Sequence, residues 1–597
     1  RDIFIDPDPN PETSFAERKR LFEMGRSSWQ DYNTSHLSRG GGIFPRSQKS
    51  LALSQQAADA IGLGKTEATP IEVMTAILKM RVDLMWFGGI GTYIRATTES
   101  NADVGDRAND AIRVTAPEVR ARVIGEGANL GVTQRARIEY CQNGGRCNSD
   151  AIDNSAGVNS SDVEVNIKIA LAAAMRSGKL TRKARDTLLV KMTDEVAALV
   201  LETNYDQTLA ISLSAKRAVE DLPYQARMME NLEARKLLDR KVELLPDPKV
   251  LAERQARGEA LTRPEIGVLV SYAKLVLFSD IMANGLPDDP HFVPALVNYF
   301  PAAMQGKWRE EILGHRLRRE IIATELANDV VNRGGPSFVT RQMDMTGRSP
   351  AEVARAFAVV RDGFALDGLF AALDALDNRI EGKEQLRLYE HVTRLIHNAT
   401  AWQLKNADLE QDVGEAVDAL AKARAALEPE MLHLLPAYMK EKLAERQARL
   451  KASGVPVDLA KRIALLGSDE LVPGIMHVAA HSGTTLHKAG AVFFRVTEHF
   501  RIGRMEDAAR AIPAGDYYDG LALSRANDMI NNARRGIAIA ALGQYGGKDE
   551  PFAHWVEAHE TRIAMTRNRI MALLESGDLT VSRLTVAAAL LGDLAGA

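Results

Sequence analysis

The chain of 597 residues is 46% hydrophobic, 26% charged and 6% aromatic, with 75 Lys+Arg against 79 Asp+Glu for a net charge of -4. That apolar content excludes intrinsic disorder, the balanced charge excludes a chain-wide basic face for nucleic acid, and a count of 2 cysteines excludes a disulfide-stapled secreted scaffold. No run of about 18 apolar residues occurs and no signal peptide opens the chain, so a cytoplasmic protein with no membrane partner is expected.

The chain opens at Arg1 with Ile3-Phe4-Ile5 followed by Asp6-Pro7-Asp8-Pro9, which reads as the tail of a strand ended by a turn. A strand with nothing before it and no initiating Met leads to the expectation of a chain entered mid-fold. Up to about Val165 glycines cluster: Gly40-Gly41-Gly42, Gly88-Gly89, Gly125, Gly127 and Gly144-Gly145. Pro70 to Lys79 has helical spacing, with Pro in the first turn and Ile71, Met74, Ile77 and Leu78 on one side. The apolar runs Val82 to Phe87 and Val119 to Ile124 each end in Gly, the signature of strands buried in a parallel sheet. Strand, helix and strand together predict an α/β domain over 1–165.

After about Asn166 strand-like alternation stops, and amphipathic helices are expected over 166–597. Thr181 reads as the N-cap of a helix carrying Leu188, Met192, Val196 and Leu199. Thr262 and Glu265 form a capping-box pattern with Pro264 in the first turn. Leu245-Pro246-Asp247-Pro248, Leu286 to Pro290, Gly334-Gly335-Pro336 and Tyr545-Gly546-Gly547 read as linkers, placing sub-boundaries near 246, 287, 335 and 546.

Several chemical motifs fail on inspection. Gly62-Leu63-Gly64-Lys65-Thr66 imitates a P-loop but has Asp59 where the first glycine is required. Cys141 and Cys147 match no usual zinc spacing and have no His nearby, so both are read as reduced and structural. His477 and His481 lie at i, i+4, but Val478 stands where a zinc protease needs Glu, so they read as surface or core residues and no metal is expected. Arg316, Arg318 and Arg319, flanked by Glu310, Glu311 and Glu320, read as a solvated mixed-charge face.

Two segments hold more. Gly125-Glu126-Gly127-Ala128-Asn129 follows a strand, where open α/β sheets place ligands; it is either an ordinary turn or a backbone approach with Asn129 as donor and acceptor. Asp150 to Asp162, a polar run around Ala156-Gly157 before an apolar helix, is either a capped loop or a helix N-terminus that binds an anion. Phe87-Gly88-Gly89-Ile90-Gly91-Thr92 lacks the last glycine of the dinucleotide fingerprint and by itself is a turn at a strand end.

Taken together, Leu84 to Tyr93, Val104 to Asp110, Val123 to Thr133, Asp150 to Asn166, Leu261 to Glu265 and Leu286 to Pro290 resemble the large bacterial NAD-specific glutamate dehydrogenases. The resemblance implies oxidative deamination of L-glutamate to 2-oxoglutarate and ammonium with NAD as cofactor, in a homo-oligomer. It also implies that 1–165 is the later part of a Rossmann-like cofactor domain. The family's catalytic lysine, catalytic aspartate and glycine-rich fingerprint are expected upstream of Arg1, so no catalytic residue is assigned in this chain, which alone is expected to be inactive. By resemblance Phe87, Gly88 and Gly89 line the adenosine side of NAD, Gly127, Ala128 and Asn129 the nicotinamide ribose, and Asn154 the carboxamide. Ser161 matches the serine on the distal carboxylate of glutamate, where relatives acting on apolar amino acids need an apolar residue. A dehydrogenase for another amino acid, or a non-catalytic helical scaffold or regulatory chain, are the rival readings.

Overall fold

The computed structural model describes residues 1–513, 515–575 and 579–595. They divide into two compact units, the first made of Arg1–Ile211, Arg240–Val250 and Ala260–Val268, the second of the remainder.

The first unit contains every strand found among the described residues. β1 (Asp2–Ile5) pairs antiparallel with β2 (Gly42–Pro45), and β3 (Leu51–Ala52) with β4 (Glu67–Ala68). Ile3, Ile5, Leu51, Leu53, Ala57, Ile61, Ala68 and Val73 bury one apolar cluster beneath them. The helix Pro70–Leu78 follows, started by a capping box in which Thr69 and Glu72 satisfy each other's backbone donors, with Pro70 in the first turn. Val73 and Leu78 are its buried residues, whereas Ile71, expected on the inner side, is exposed.

β5 (Leu84–Phe87) and β8 (Val123–Glu126) are paired in parallel, Leu84 opposite Val123 and Phe87 opposite Glu126. The expected strands are there, with two corrections. β8 starts at Val123 and takes in Gly125 and Glu126, because Val119 closes a short 3-10 turn, Ala116–Glu118, and the chain extends only after it. The Pro70 helix precedes both strands; between them run β6 (Ile94–Arg95), the single turn Asn101–Val104 and β7 (Val114–Thr115), with β6 and β7 again parallel. Met85, Phe87 and Ile124 face a second cluster with Ile94, Val114, Val132 and Tyr140. The other face, carrying Leu84, Trp86 and Val123, is exposed.

No strand follows Glu126 among the described residues, so the chain is α/β at first and mostly helical afterwards. Thr181 caps its helix through the Ala184 amide, but that helix ends at Lys191 and a second, Thr193–Arg217, carries Val196 and Leu199. The break sits where the Thr193 hydroxyl donates to Val190 O at 3.0 Å, competing with the helical ladder. Glu265 accepts from both the amide and the hydroxyl of Thr262 at 2.7 Å, as its spacing predicted.

In the second unit the helix Gly382–Asn406 buries Leu388, Tyr389, Val392, Leu395, Ile396 and Ala399, three and four residues apart. Each such aliphatic side chain contributes about 2 kcal/mol over an exposed one. Pro350–Gly363 packs against it, begun by a Ser349/Glu352 capping box. Farther on, Tyr517–Tyr545 and Val581–Ala595 pack so closely that a Cβ on Gly536 would lie 2.7 Å from the Cβ of Ala595. All four predicted linkers fall at helix ends or in the short turns between helices. No single described helix is long and apolar enough to cross a membrane.

Candidate functional site

Three segments of the first unit carry the residues expected on the cofactor and substrate side. One leaves the C-terminal end of β5, one leaves β8, and the third runs from Asp150 into the helix Ser160–Arg176.

The β5 loop is tied down at its far side by hydrogen bonds. Asp106 accepts from the Thr92 amide at 2.8 Å and from Asn109 Nδ2 at 2.7 Å, and these bonds hold its carboxyl below the usual carboxylate range. Arg113, whose side chain is fully buried, donates to Thr92 O at 2.9 Å and Asp106 O at 2.6 Å. Gly91 has φ +122, and a Cβ there would stand 2.5 Å from Asn109 Nδ2, so only glycine completes the turn. Phe87 is buried with its ring stacked on Tyr93 at 5.6 Å, and it forms the floor under Gly131. Gly89 has nothing within 4 Å of a Cβ position, while Gly88 lies beside the Trp86 indole. Ile90 is 88% exposed.

At β8 the Trp86 side chain lies across the strand. A Cβ on Gly125 would approach it to 2.7 Å and one on Gly127 to 2.4 Å. The glycines therefore make room for the indole, which is more than half exposed on its other side. Ala128 turns inward and is buried. Leu130 adopts a left-handed conformation, φ 55, with its side chain 56% exposed, a strained backbone next to Asn129.

The third loop is a short turn of helix, Asp150–Asp153, a wide π turn over 155–159, and the Ser160 helix. Asn154 Nδ2 donates to Asn129 Oδ1 at 2.6 Å, and its Oδ1 accepts from the Gly157 amide at 2.9 Å. A Cβ on Gly157 would meet Asn154 at 2.7 Å. The structure thus brings together Asn129 and Asn154, 25 residues apart. Ser161 stands exposed in the first turn of the next helix, seven positions beyond Asn154.

A buried ion cluster that sequence reasoning missed holds these loops. Arg137, on the helix Gln134–Gln142, grips Glu126 at 2.7 and 3.0 Å and reaches Asp150 at 2.9 Å. Glu126 and Arg137 are 1% and 3% exposed. Asp150 accepts from the Leu130 amide at 2.9 Å, and Glu126 from the Val132 amide at 3.1 Å, so one cluster anchors both sides of Gly127-Ala128-Asn129. Burial pushes the Glu126 carboxyl up against the pull of Arg137, and burial likewise raises Asp153, whose Oδ1 takes Asn148 Nδ2 at 2.9 Å. An acidic residue between Gly125 and Gly127, directly after an apolar run, is the one visible signal in the sequence.

The side chains of Asn129, Asn154 and Ser161 do not ionise near neutrality, so they can offer hydrogen bonds to a ligand but no proton transfer. Its open glycine at 89, exposed apolar Ile90 and Leu130, and facing amides suit a flat ligand bearing amide and hydroxyl groups.

The histidine and arginine groups lie in the second unit, not in these loops. His477 and His481 stack at 3.9 Å on the helix Val472–Ser482, and burial, then His481, draws His477 down to about 4. Among the described residues no group of three or more His, Cys, Asp or Glu is placed to hold a metal ion. Arg318 and Arg319 pair with Asp288, at 3.5 and 3.0 Å. Cys141 and Cys147 are free thiols.

Residues 1–214 match the model of the bacterial NAD-glutamate dehydrogenase catalytic domain, and 258–593 that of the glutamate dehydrogenase C-terminal region. The chain is 38% identical over 561 residues to an NAD-specific glutamate dehydrogenase of Halomonas elongata, covering 94% of this chain and 35% of the relative. Proteins of the same name from Pseudomonas aeruginosa and Mycobacterium tuberculosis are 39% and 36% identical, over 99% and 98% of this chain and 37% of each relative. The chain therefore spans little more than a third of the length of these relatives.

Proposed function

This chain belongs to the bacterial NAD-glutamate dehydrogenase family, and from that premise we propose that it provides the cofactor-side loops of an enzyme that converts L-glutamate to 2-oxoglutarate and ammonium. NAD, when bound, supplies the hydride acceptor. Phe87, Gly88 and Gly89 hold its adenosine side, Gly127, Ala128 and Asn129 its nicotinamide ribose, and Asn154 its carboxamide, while Ser161 donates to the distal carboxylate of glutamate. A carboxylate left unpaired in a dry site costs several kcal/mol, so a hydroxyl at 161 favours glutamate over amino acids with apolar side chains.

The observation that carries this reading is the bond from Asn154 to Asn129 at 2.6 Å, made at the C-terminal end of parallel strands and braced by the Glu126–Arg137–Asp150 cluster. Ligands of open α/β sheets bind at that end. In this reading β5 and β8 belong to a Rossmann-like sheet, 1–165 forms the later part of the cofactor domain, and 166–597 is a helical region with sub-boundaries near 246, 287, 335 and 546. The acid–base lysine and aspartate belong to the length of the relatives that this chain does not match. The working protein is a cytoplasmic homo-oligomer that engages neither nucleic acid nor membrane.

The test is NADH formation from glutamate by the full-length protein and by its Ser161→Val variant. Loss of glutamate turnover in the variant, with NAD binding retained, is expected; unchanged preference for glutamate overturns the role of Ser161. The 597-residue chain by itself is expected to give no glutamate-dependent NADH.

A further inference from the structure

Cys141 and Cys147 are the 2 cysteines of the chain, and neither has a place in the reading above. Cys141 is the penultimate residue of the helix Gln134–Gln142, partly accessible, and Cys147 is 3% exposed. A tight turn folds them together: the Gly144 amide donates to Cys141 O at 3.1 Å and the Gly145 amide to Tyr140 O at 3.0 Å, with Gly144 at φ +90. The two sulfurs lie 3.6 Å apart. Cys141 Sγ donates to Cys147 O at 3.7 Å and Cys147 Sγ to Arg137 O at 3.8 Å. Closing that gap to a disulfide asks the sulfurs to approach by about 1.5 Å, within what a loop turn can give.

We propose that Cys141 and Cys147 form a redox-sensitive dithiol that low-molecular-weight disulfides convert reversibly to a Cys141–Cys147 bond. The Cys141 thiolate attacks one sulfur of the small disulfide, its S–S bond breaks, and the first small thiolate leaves with the proton given up by Cys141. Cys147 then attacks Cys141 Sγ, releasing the second small thiolate, which takes the Cys147 proton. Two electrons pass from the protein to the small disulfide, and two small thiols are released.

The two sulfurs are not equivalent. The Cys147 contact, with Arg263 adding to it against the effect of burial, draws the Cys141 thiol down, whereas Cys141 and burial push Cys147 up. Cys141, partly accessible and more acidic, is the attacking residue; Cys147, buried and protonated, is the resolving one.

The pair also touches the loops of the candidate site. Cys147 precedes Asn148, whose Oδ1 accepts from Arg263 Nε at 3.0 Å and whose Nδ2 donates to Asp153, next to Asn154. Drawing Cys147 toward Cys141 shifts this anchor and costs the contact to Arg137 O on the helix that grips Glu126 and Asp150. This coupling rests on the reading of Asn154 given above; the thiol chemistry does not.

The 597-residue chain is incubated with glutathione disulfide at neutral pH, and its thiols are counted after denaturation and by mass spectrometry of the 141–147 peptide. The count is expected to fall from two to none with loss of two hydrogens from the peptide, and to return to two on adding dithiothreitol. Cys147→Ser should stop at one glutathione attached to Cys141, and Cys141→Ser should keep its thiol at least about tenfold longer, as expected for a buried, weakly acidic thiol. Retention of both thiols, arrest of the unsubstituted chain at the mixed disulfide, or a Cys141→Ser chain reacting as fast as the original overturns the proposal. With the disulfide formed, amide exchange over 148–157 should quicken; unchanged exchange there overturns the coupling to the site. None of these readouts depends on glutamate turnover, so they stand apart from the fate of the proposed activity.

Discussion

Asn154 and Asn129 satisfy each other across two loops, with Nδ2 of the first donating to Oδ1 of the second at 2.6 Å. The bond is exposed to solvent, so each alanine substitution leaves its partner to water. A double-mutant cycle of Asn129→Ala and Asn154→Ala, read by urea unfolding, is expected to return a coupling of about 0.5–1.5 kcal/mol. In the full-length protein each single variant should lower kcat/KM for NAD by about 10–100-fold, the effect of one unpaired polar group at a ligand. Additive stabilities would remove the pair as a structural unit.

Gly127→Ala places a methyl group where the Trp86 indole lies, 2.4 Å from its nearest atom. Overpacking of this kind costs about 1–3 kcal/mol. The variant should shift tryptophan emission and lower the urea midpoint, and the penalty should fall below about 0.5 kcal/mol in a Trp86→Ala background, since the two changes share one contact. An equal penalty in both backgrounds would place the strain elsewhere.

Arg137→Met leaves Glu126 buried without its counter-charge and leaves Asp150 with the Leu130 amide but without its guanidinium partner. Removing one partner of such a pair costs about 3–5 kcal/mol. Adding Glu126→Gln to Arg137→Met should recover part of that loss, because an amide needs no counter-ion. Arg137→Lys should stay well short of full stability, since a lysine cannot bridge both carboxyls with a planar fork.

The second unit carries its own pH dependence. His397 Nε2 contacts Gly334 O at 2.8 Å, and burial, followed by the charges of Arg341 and Arg217, pulls the imidazole down from 6.5 to about 3. The unfolded chain takes up this proton near pH 6.5 and the folded one only near pH 3, so between those values the unfolded state holds more protons. Stability therefore falls as pH drops through that window and is insensitive to this group above it. His397→Gln, which keeps a donor for Gly334, should flatten the slope of unfolding free energy against pH by up to about 1.4 kcal/mol per pH unit. An unchanged slope between neutrality and pH 4 would sink the assignment.

Local patterns made the strands at Ile3, Val82 and Val123 and the helix starts at Pro70, Thr181 and Thr262 legible. Val82, Met85 and Phe87 are apolar because they pack on the cluster beneath β5, and Pro70, Thr181 and Thr262 announce helices because first-turn and capping preferences act over three residues. What depends on distant chain was not legible. Gly125 and Glu126 look like a loop until β5 pairs with them, and Arg137 looks like one more helical cation until it turns inward onto Glu126. The break at Met192, beside the Thr193 hydroxyl bond to Val190 O, is not registered by periodicity. At the site, resemblance named Asn129 and Asn154 separately; their mutual bond and the ion cluster behind them exist only once the loops are folded together.

Leu130 holds a conformation that costs an L-residue about 1–2 kcal/mol, and it displays its side chain to water while doing so. Glycine or asparagine there would be more comfortable on both counts. A laboratory selection for heat resistance alone should therefore abandon leucine at 130 early, whereas one that also demands use of NAD should keep it. The fate of that one codon under the two regimes separates what the fold needs from what the site needs.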